Sequence, residues 1–158
     1  IDVRLVGSEM CIRDRDGPTW NTSSGKAQFF CHDLPDRKIN YERFIMMTVR
    51  SHDQYNTTIY GMDDRYRGIY NARRVVMMNK DDMLEIGVSP GQEVDLTSHW
   101  EERKIYSERW KVVPYDIPRG NLCSYFPEAN VLVPLESTAE GSNTPTSKWI
   151  EISISLRL

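Results

Sequence analysis

The chain has 158 residues, a mass of 18.4 kDa and a formal net charge of -3, enough for one domain with a hydrophobic core of its own. Its 27% charged and 39% hydrophobic residues exclude a disordered polar chain, and a pI of about 5.6 argues against a general nucleic-acid binder, which is usually basic. No apolar run approaches the roughly 20 residues of a membrane helix, and the start carries no signal-peptide pattern. Cys11, Cys31 and Cys123 are odd in number and scattered, with no CxxC pair. Free thiols in a reducing compartment follow, and the expected location is cytoplasmic.

The opening Ile1–Arg15, with Leu5-Val6-Gly7-Ser8-Glu9-Met10-Cys11-Ile12-Arg13-Asp14-Arg15, resembles translated sequencing adaptor. Residues 1–15 are therefore set aside as a foreign tail, and a start at Ile1 rather than Met is read as a truncated reading frame. Residues 16–40 read as a linker and the end of an upstream domain, punctuated by Gly17-Pro18 and Leu34-Pro35-Asp36. Within them Lys26–Phe30 is expected as a short strand.

Residues 41–158 carry the domain. Tyr41–Arg50 holds the buried run Phe44-Ile45-Met46-Met47 and Val49, a strand. Ser51–Arg74 then turns polar, aromatic and arginine-rich, and a connection of that length is usually functional or disordered. Val75–Asn79 is a second strand. Asn79 fits a helix N-cap, with Asp81 and Asp82 in the first turn, Met83, Leu84 and Ile86 as the apolar face, and Gly87 as the stop. After the turn Ser89-Pro90-Gly91-Gln92, Glu93–Ser98 alternates, with Val94 and Leu96 on one face and Asp95 and Thr97 on the other. Lys104–Val113 is a further strand with Ile105, Trp110 and Val112 inward. Tyr115–Leu122 reads as a bend, Ser124–Asn130 as a loop, Val131–Leu135 as a short apolar strand and Glu136–Ser147 as a flexible loop. Trp149–Leu156 closes the domain through Ile150, Ile152, Ile154 and Leu156. Short strands, short helices and long loops make a mainly β barrel the natural architecture.

No nucleophile elbow, P-loop, zinc-protease motif or dinucleotide fingerprint is present. His32, His52 and His99 stand apart, each reading as a surface or loop histidine rather than a ligand. Two loops concentrate chemistry instead. The first, Thr48–Thr58 with Arg65–Gly68, gathers amide, hydroxyl and guanidinium groups directly after a buried strand, a donor set suited to ring edges and phosphates. The second, Tyr125-Phe126-Pro127-Glu128-Ala129-Asn130, offers a stiff aromatic wall and is followed by Ser142–Lys148, whose lysine suits a phosphate or a ring carbonyl. A solvated polar loop and a packed proline turn account for the same residues equally well.

These two loops also carry a resemblance. Arg50-Ser51-His52-Asp53-Gln54-Tyr55-Asn56-Thr57-Thr58-Ile59-Tyr60-Gly61 with Asp64–Ile69 resembles the start of the molybdopterin-dinucleotide-binding domain of formate-dehydrogenase-like alpha subunits, the FdhF/YdeP group. Tyr125–Pro134 and Ser147-Lys148 resemble its second cofactor-facing segment. Asn79–Leu96 resembles the helix–turn–strand signature of a double-psi β-barrel. The resemblance runs from about Phe44 to Ile154.

The resemblance implies a six-stranded double-psi β-barrel with short helices, covering a bis-molybdopterin guanine dinucleotide that carries molybdenum. It implies a formate-dehydrogenase-like oxidoreductase whose metal ligand and iron–sulfur (4Fe-4S) cluster lie in upstream domains of the same chain, so this segment holds no catalytic residue or metal ligand. The redox step then belongs to the cofactor, which the protein orients and tunes. By position, the implied cofactor contacts are Arg50, Ser51, Gln54, Asn56, Thr57, Thr58, Arg67, Tyr125, Phe126, Asn130 and Lys148. Arg50, Arg65, Arg67, Arg73 and Arg74 reconcile an acidic chain with a polyanionic ligand, because a local field matters more than the total. The competing reading is a stand-alone barrel module for an anionic partner such as a nucleotide or RNA. A self-cleaving barrel enzyme is remote, since Gly7-Ser8 lies in the tail and Gly141-Ser142 in a loop.

Overall fold

The computed structural model describes residues 20–33, 40, 42–54 and 61–157. The chain divides into two compact units, Ile1–Lys38 and Ile39–Leu158. In the first, a turn joins Thr22 to Gly25 (N–H to carbonyl 3.0 Å), and the Thr22 hydroxyl donates to the Lys26 carbonyl at 2.7 Å. The strand expected at Lys26–Phe30 does not form: these residues are exposed coil and Phe29 is 95% exposed. Apolar identity alone makes no strand where no neighbour accepts the backbone hydrogen bonds.

The second unit is a closed barrel of six strands: β1 (Phe44–Val49), β2 (Val75–Met78), β3 (Glu93–Trp100), β4 (Arg103–Pro114), β5 (Asn121–Tyr125) and β6 (Ile150–Leu156). Around the barrel they run β1-β5-β2-β4-β3-β6. The pairs β1–β5 and β2–β4 are parallel, and the others are antiparallel. The mainly β, six-stranded barrel expected of this sequence is the one that forms. Closure leaves no strand edge open to a foreign partner.

All four residues of β2 are buried, because the strand is covered on both faces. Val76 and Met78 join Met46, Leu96, Trp110 and Ile152 in the barrel core. Val75 and Met77 point outward into a second cluster with Cys123 and Tyr125 of β5 and with Ile69, which the segment before β2 supplies. Helix α1 (Lys80–Ile86) follows at once. The Asn79 side chain accepts from the Asp81 N–H at 2.8 Å and donates to the Ile117 carbonyl at 2.6 Å, so one residue caps the helix and ties down the β4–β5 connection. Gly87 takes a left-handed φ of 73°, which lets the Val88 N–H return to the Met83 carbonyl at 2.9 Å. The helix buries Met83, with Ile86 packed beside the core, but Leu84 is 79% exposed, which removes it from the expected apolar face. Asp82 turns inward instead and accepts from the Gly120 N–H and Arg119 Nε, each at 2.7 Å.

β5 occupies the stretch expected as the end of a bend and the start of a loop. Leu122 is in the barrel core and Cys123 in the outer cluster. Ser124 is fully buried and donates to the Val75 carbonyl at 2.7 Å. The expected strand at Val131–Leu135 is replaced by a 3-10 turn, Glu128–Leu132, which buries Ala129 and Leu132; Val133 packs beside the core, while Val131 and Leu135 point to solvent. Glu136–Ser147 forms a small hairpin, with Thr138 bridged to Pro145 and the Ala139 N–H bonded to the Thr144 carbonyl at 2.8 Å.

A bulge interrupts β3–β4. Val94 faces Trp110 but Leu96 faces Ser107, so β4 carries one extra residue, and Arg109 takes a φ of 59°. Inward positions therefore switch parity along β4, from Ile105 and Ser107 to Trp110 and Val112. Asp95 lies in the bulge and is buried, where plain alternation placed it outside. It accepts from Tyr106 Oη (2.6 Å), the Arg109 N–H (2.9 Å) and Arg157 Nη1 (2.7 Å).

Two outcomes follow. Leu96→Ala lowers stability in urea unfolding by about 2–5 kcal/mol through the cavity it leaves, whereas Leu84→Ala stays within about 0.5 kcal/mol. Burial alone raises the Asp95 carboxyl, but its three donors outweigh that and hold it at about 2, below the ordinary 3.8. A depressed folded-state value gives stability that is complete above the unfolded value and lost as pH falls through the folded one. Thermal unfolding between about pH 4 and pH 2 therefore shows a shallower loss in Asp95→Asn than in the parent chain.

Candidate cofactor site

The parallel register of β1 on β5 sets Val49 beside Tyr125, so both chains leave the barrel at the same end. The Phe126 N–H donates to the Val49 carbonyl at 2.8 Å and continues the ladder by one bond. β6 runs antiparallel to β1, which delivers the residues preceding it to that end as well, and the Thr48 N–H donates to the Ser147 carbonyl at 2.9 Å. Three segments remote in sequence thus meet around an open cleft of about 340 Å³. Thr48, Val49 and Arg50 line it from β1, Phe126 and Asn130 from the end of β5, and Thr144, Pro145, Ser147 and Lys148 from the approach to β6.

Of the expected contacts, Arg50, Phe126, Asn130 and Lys148 come together in this cleft. Asn56, Thr57 and Thr58 lie outside the described residues. Ser51, Gln54, Arg67 and Tyr125 do not line the cleft; they sit behind it. Ser51 and Gln54 are buried, joined by the Gln54 N–H to the Ser51 carbonyl at 3.1 Å. Tyr125 is fully buried, and its hydroxyl donates to Asp64 Oδ2 at 2.8 Å. Arg67 Nη1 lies 2.6 Å from the same oxygen and 3.3 Å from the Arg50 carbonyl. His52 rests against the Tyr66 ring, centroids 3.8 Å apart.

Thr48, Thr144, Pro145 and Ser147 line the cleft but are not among the contacts expected by position. All four fall inside the polar segments that the sequence marks, yet Thr48 sits in an apolar strand and the others in a small-residue hairpin with no periodicity, so none stands out as a single residue.

Behind the cleft lies a buried arginine. Arg73, 5% exposed, forks onto Glu128 through Nε–Oε1 (3.0 Å) and Nη2–Oε2 (3.1 Å). Its Nη2 also reaches Gln54 Oε1 and the Phe126 carbonyl, both at 3.3 Å, and its guanidinium lies 4.5 Å from the Tyr125 ring centre. Arg74 turns the other way, to Ser107 Oγ at 2.7 Å and the Trp110 face. Much of the arginine charge noted in the sequence is therefore spent inside the fold. Arg50 and Lys148 line the cleft itself, and among the described residues neither pairs with a carboxylate. Lys148 Nζ donates to the Thr48 carbonyl, and Thr48 Oγ1 lies 3.4 Å away. No carboxylate lines the cleft among the described residues.

A family model described as Molydopterin dinucleotide binding domain matches residues 44–150. The chain belongs to that family. An uncharacterized oxidoreductase of Mycobacterium bovis is 46% identical over 145 residues, covering 89% of this chain and 19% of the relative. An uncharacterized oxidoreductase of Mycobacterium tuberculosis matches to the same extent. Protein YdeP of Escherichia coli is 40% identical over 142 residues, covering 85% of this chain and 19% of its own length. The chain thus spans about a fifth of these relatives.

The donor set of the cleft fits a molybdopterin dinucleotide. Ammonium and guanidinium suit phosphate, hydroxyls and the Asn130 amide suit ring edges, and Phe126 with Pro145 offers flat apolar walls. The cleft's volume lies in the range of small-ligand sites. Among the described residues no group of His, Cys, Asp or Glu gathers to hold a metal, and no helix is long and apolar enough to cross a membrane.

Asp64 anchors the wall behind the cleft. Burial pushes its carboxyl up, but the hydrogen bonds from Arg67 and Tyr125 prevail and hold it below the ordinary range. Burial and the Asp64 contact raise the Tyr125 phenol in turn. Tyr125→Phe removes one donor from a buried carboxylate and costs about 1–3 kcal/mol, read from the urea midpoint at unchanged slope.

Proposed function

We propose that residues 41–158 are the cofactor-holding domain of a molybdopterin oxidoreductase of the formate-dehydrogenase-like group, gripping part of a bis-molybdopterin guanine dinucleotide that carries molybdenum. The observation that carries this reading is the cleft itself: Arg50 and Lys148 bring two cations without carboxylate partners among the described residues to a concave, donor-rich wall. Family membership and the relatives named oxidoreductases support it. In this reading residues 1–15 are foreign to the protein and 16–40 connect to an upstream domain. The iron–sulfur cluster and any protein ligand to the metal belong to upstream domains of the longer chain, and the enzyme works in the cytoplasm.

When bound, the cofactor supplies two-electron redox chemistry. Lys148 and Arg50 neutralise phosphate oxygens. Asn130, Thr48 and Thr144 pair with polar ring edges, and Phe126 and Pro145 exclude water from one face of the ligand. Asn56, Thr57 and Thr58 extend the polar set from the first loop, while Ser51, Gln54, Arg67 and Tyr125 hold that set from behind. None of these residues moves a proton or meets the substrate.

In the longer protein, Lys148→Ala removes a charge-assisted hydrogen bond of about 1.5–3 kcal/mol, so molybdenum and pterin content fall about ten- to a hundredfold under limiting cofactor. Metal analysis and pterin fluorescence read this directly. Full cofactor content in an Arg50→Ala, Lys148→Ala double variant overturns the assignment of the cleft. Formate oxidation with an artificial acceptor by the 158-residue chain alone overturns the holding role.

A further inference from the structure

We propose that Arg73 is a positioning residue for the cleft, fixing its two principal walls relative to each other without touching the ligand. The inference rests on the cofactor-holding reading above and goes beyond its set of contacts.

Arg73 stands two residues before β2, the strand flanked by β5 and β4. From there its guanidinium reaches both loops that leave the barrel at the cleft. On the first it bonds Gln54, four residues after Arg50. On the second it bonds the Phe126 carbonyl and forks onto Glu128, two residues before Asn130. Each of these partners lies next to or near a lining residue, and none lies across the barrel core. The Tyr125 ring beneath it completes a seat for a flat cation.

A buried ion pair is weak evidence for stability, because apolar side chains of similar size often serve as well or better. What apolar packing does not supply is direction. The planar guanidinium fixes the Glu128 carboxylate, the Gln54 amide and the Phe126 carbonyl at defined angles at once, which a lysine ammonium on a flexible stem cannot do. Presetting Arg50, Phe126 and Asn130 lowers the ordering cost of taking up the ligand. Arg67, donating to the Arg50 carbonyl and to Asp64, braces the first loop from its other side.

The test uses the 158-residue chain and guanosine diphosphate as probe of the nucleotide end, measured by titration calorimetry over a range of salt. An Arg73→Met, Glu128→Met double variant exchanges the ion pair for apolar packing. It is expected to keep its melting temperature, to bind the probe about tenfold more weakly, and to keep the salt dependence of the parent. Lys148→Ala, which removes a direct cation, is expected to weaken binding and to flatten the salt dependence. Parent-like affinity in the double variant, with Lys148→Ala weakened, overturns the positioning role and leaves the cleft reading standing. If the parent chain does not bind the probe, or Lys148→Ala binds as the parent does, the cleft reading falls and this inference falls with it. Should the double variant not fold, Arg73→Lys keeps the charge and loses the fork: weakened binding in a folded protein sustains the proposal, and parent affinity refutes it.

Discussion

The arrangement of the site depends on one backbone constraint, the parallel register of β1 on β5. Parallel neighbours end at the same side of a barrel, so Val49 and Tyr125 release their following loops into the same space. Antiparallel pairing of β6 with β1 adds a third approach. With the pairing reversed, the Phe126 wall would open at the opposite rim from Arg50. The cleft is thus a consequence of strand order before it is a matter of side chains. Side chains then secure it: the outer face of β2 is roofed by the segment around Ile69, which brings Asp64 over Tyr125.

Buried polar groups behind the cleft pair with one another. Asp64 receives Arg67 and the Tyr125 hydroxyl, and Arg73 holds Glu128, Gln54 and the Phe126 carbonyl. Such a network costs desolvation and returns specific geometry in a wall that apolar packing alone leaves loosely specified. The Asp95 cluster does similar service for the β3–β4 bulge, where a carboxylate receives the backbone N–H that the extra residue leaves unpaired.

The sequence made much of this fold legible, and the exceptions have physical reasons. β1, β2, β3 and β6 show as runs or alternation of apolar residues, and α1 shows through Asn79, Asp81, Asp82 and Gly87. β5 does not, because Pro118 and Gly120 precede it and its buried residues include Cys123 and Ser124, the latter paid for by a hydrogen bond to Val75 rather than by apolar surface. Val131–Leu135 has strand composition, yet it has no strand partner and its side chains divide between core and solvent. Along β4 the inward residues Ile105 and Trp110 differ in parity, which no unbroken strand permits, and the bulge at Arg109 accounts for it.

Charge was the least legible property. Arg50, Arg65, Arg67, Arg73 and Arg74 form one basic stretch in the sequence, and counting them implies a concentrated local field from all five. Folding divides them by partner: Arg67 goes to Asp64, Arg73 to Glu128 and Arg74 to Ser107 and Trp110. An arginine with a buried carboxylate beside it contributes little field at a distance, since the pair is close to neutral. The field at the cleft then comes from Arg50 and from Lys148, which belongs to a different segment altogether and reaches the site only because β6 pairs with β1. A net charge of -3 is compatible with an anion cleft for this reason. What matters is which cations the fold brings to the cleft, and topology decides that where composition cannot.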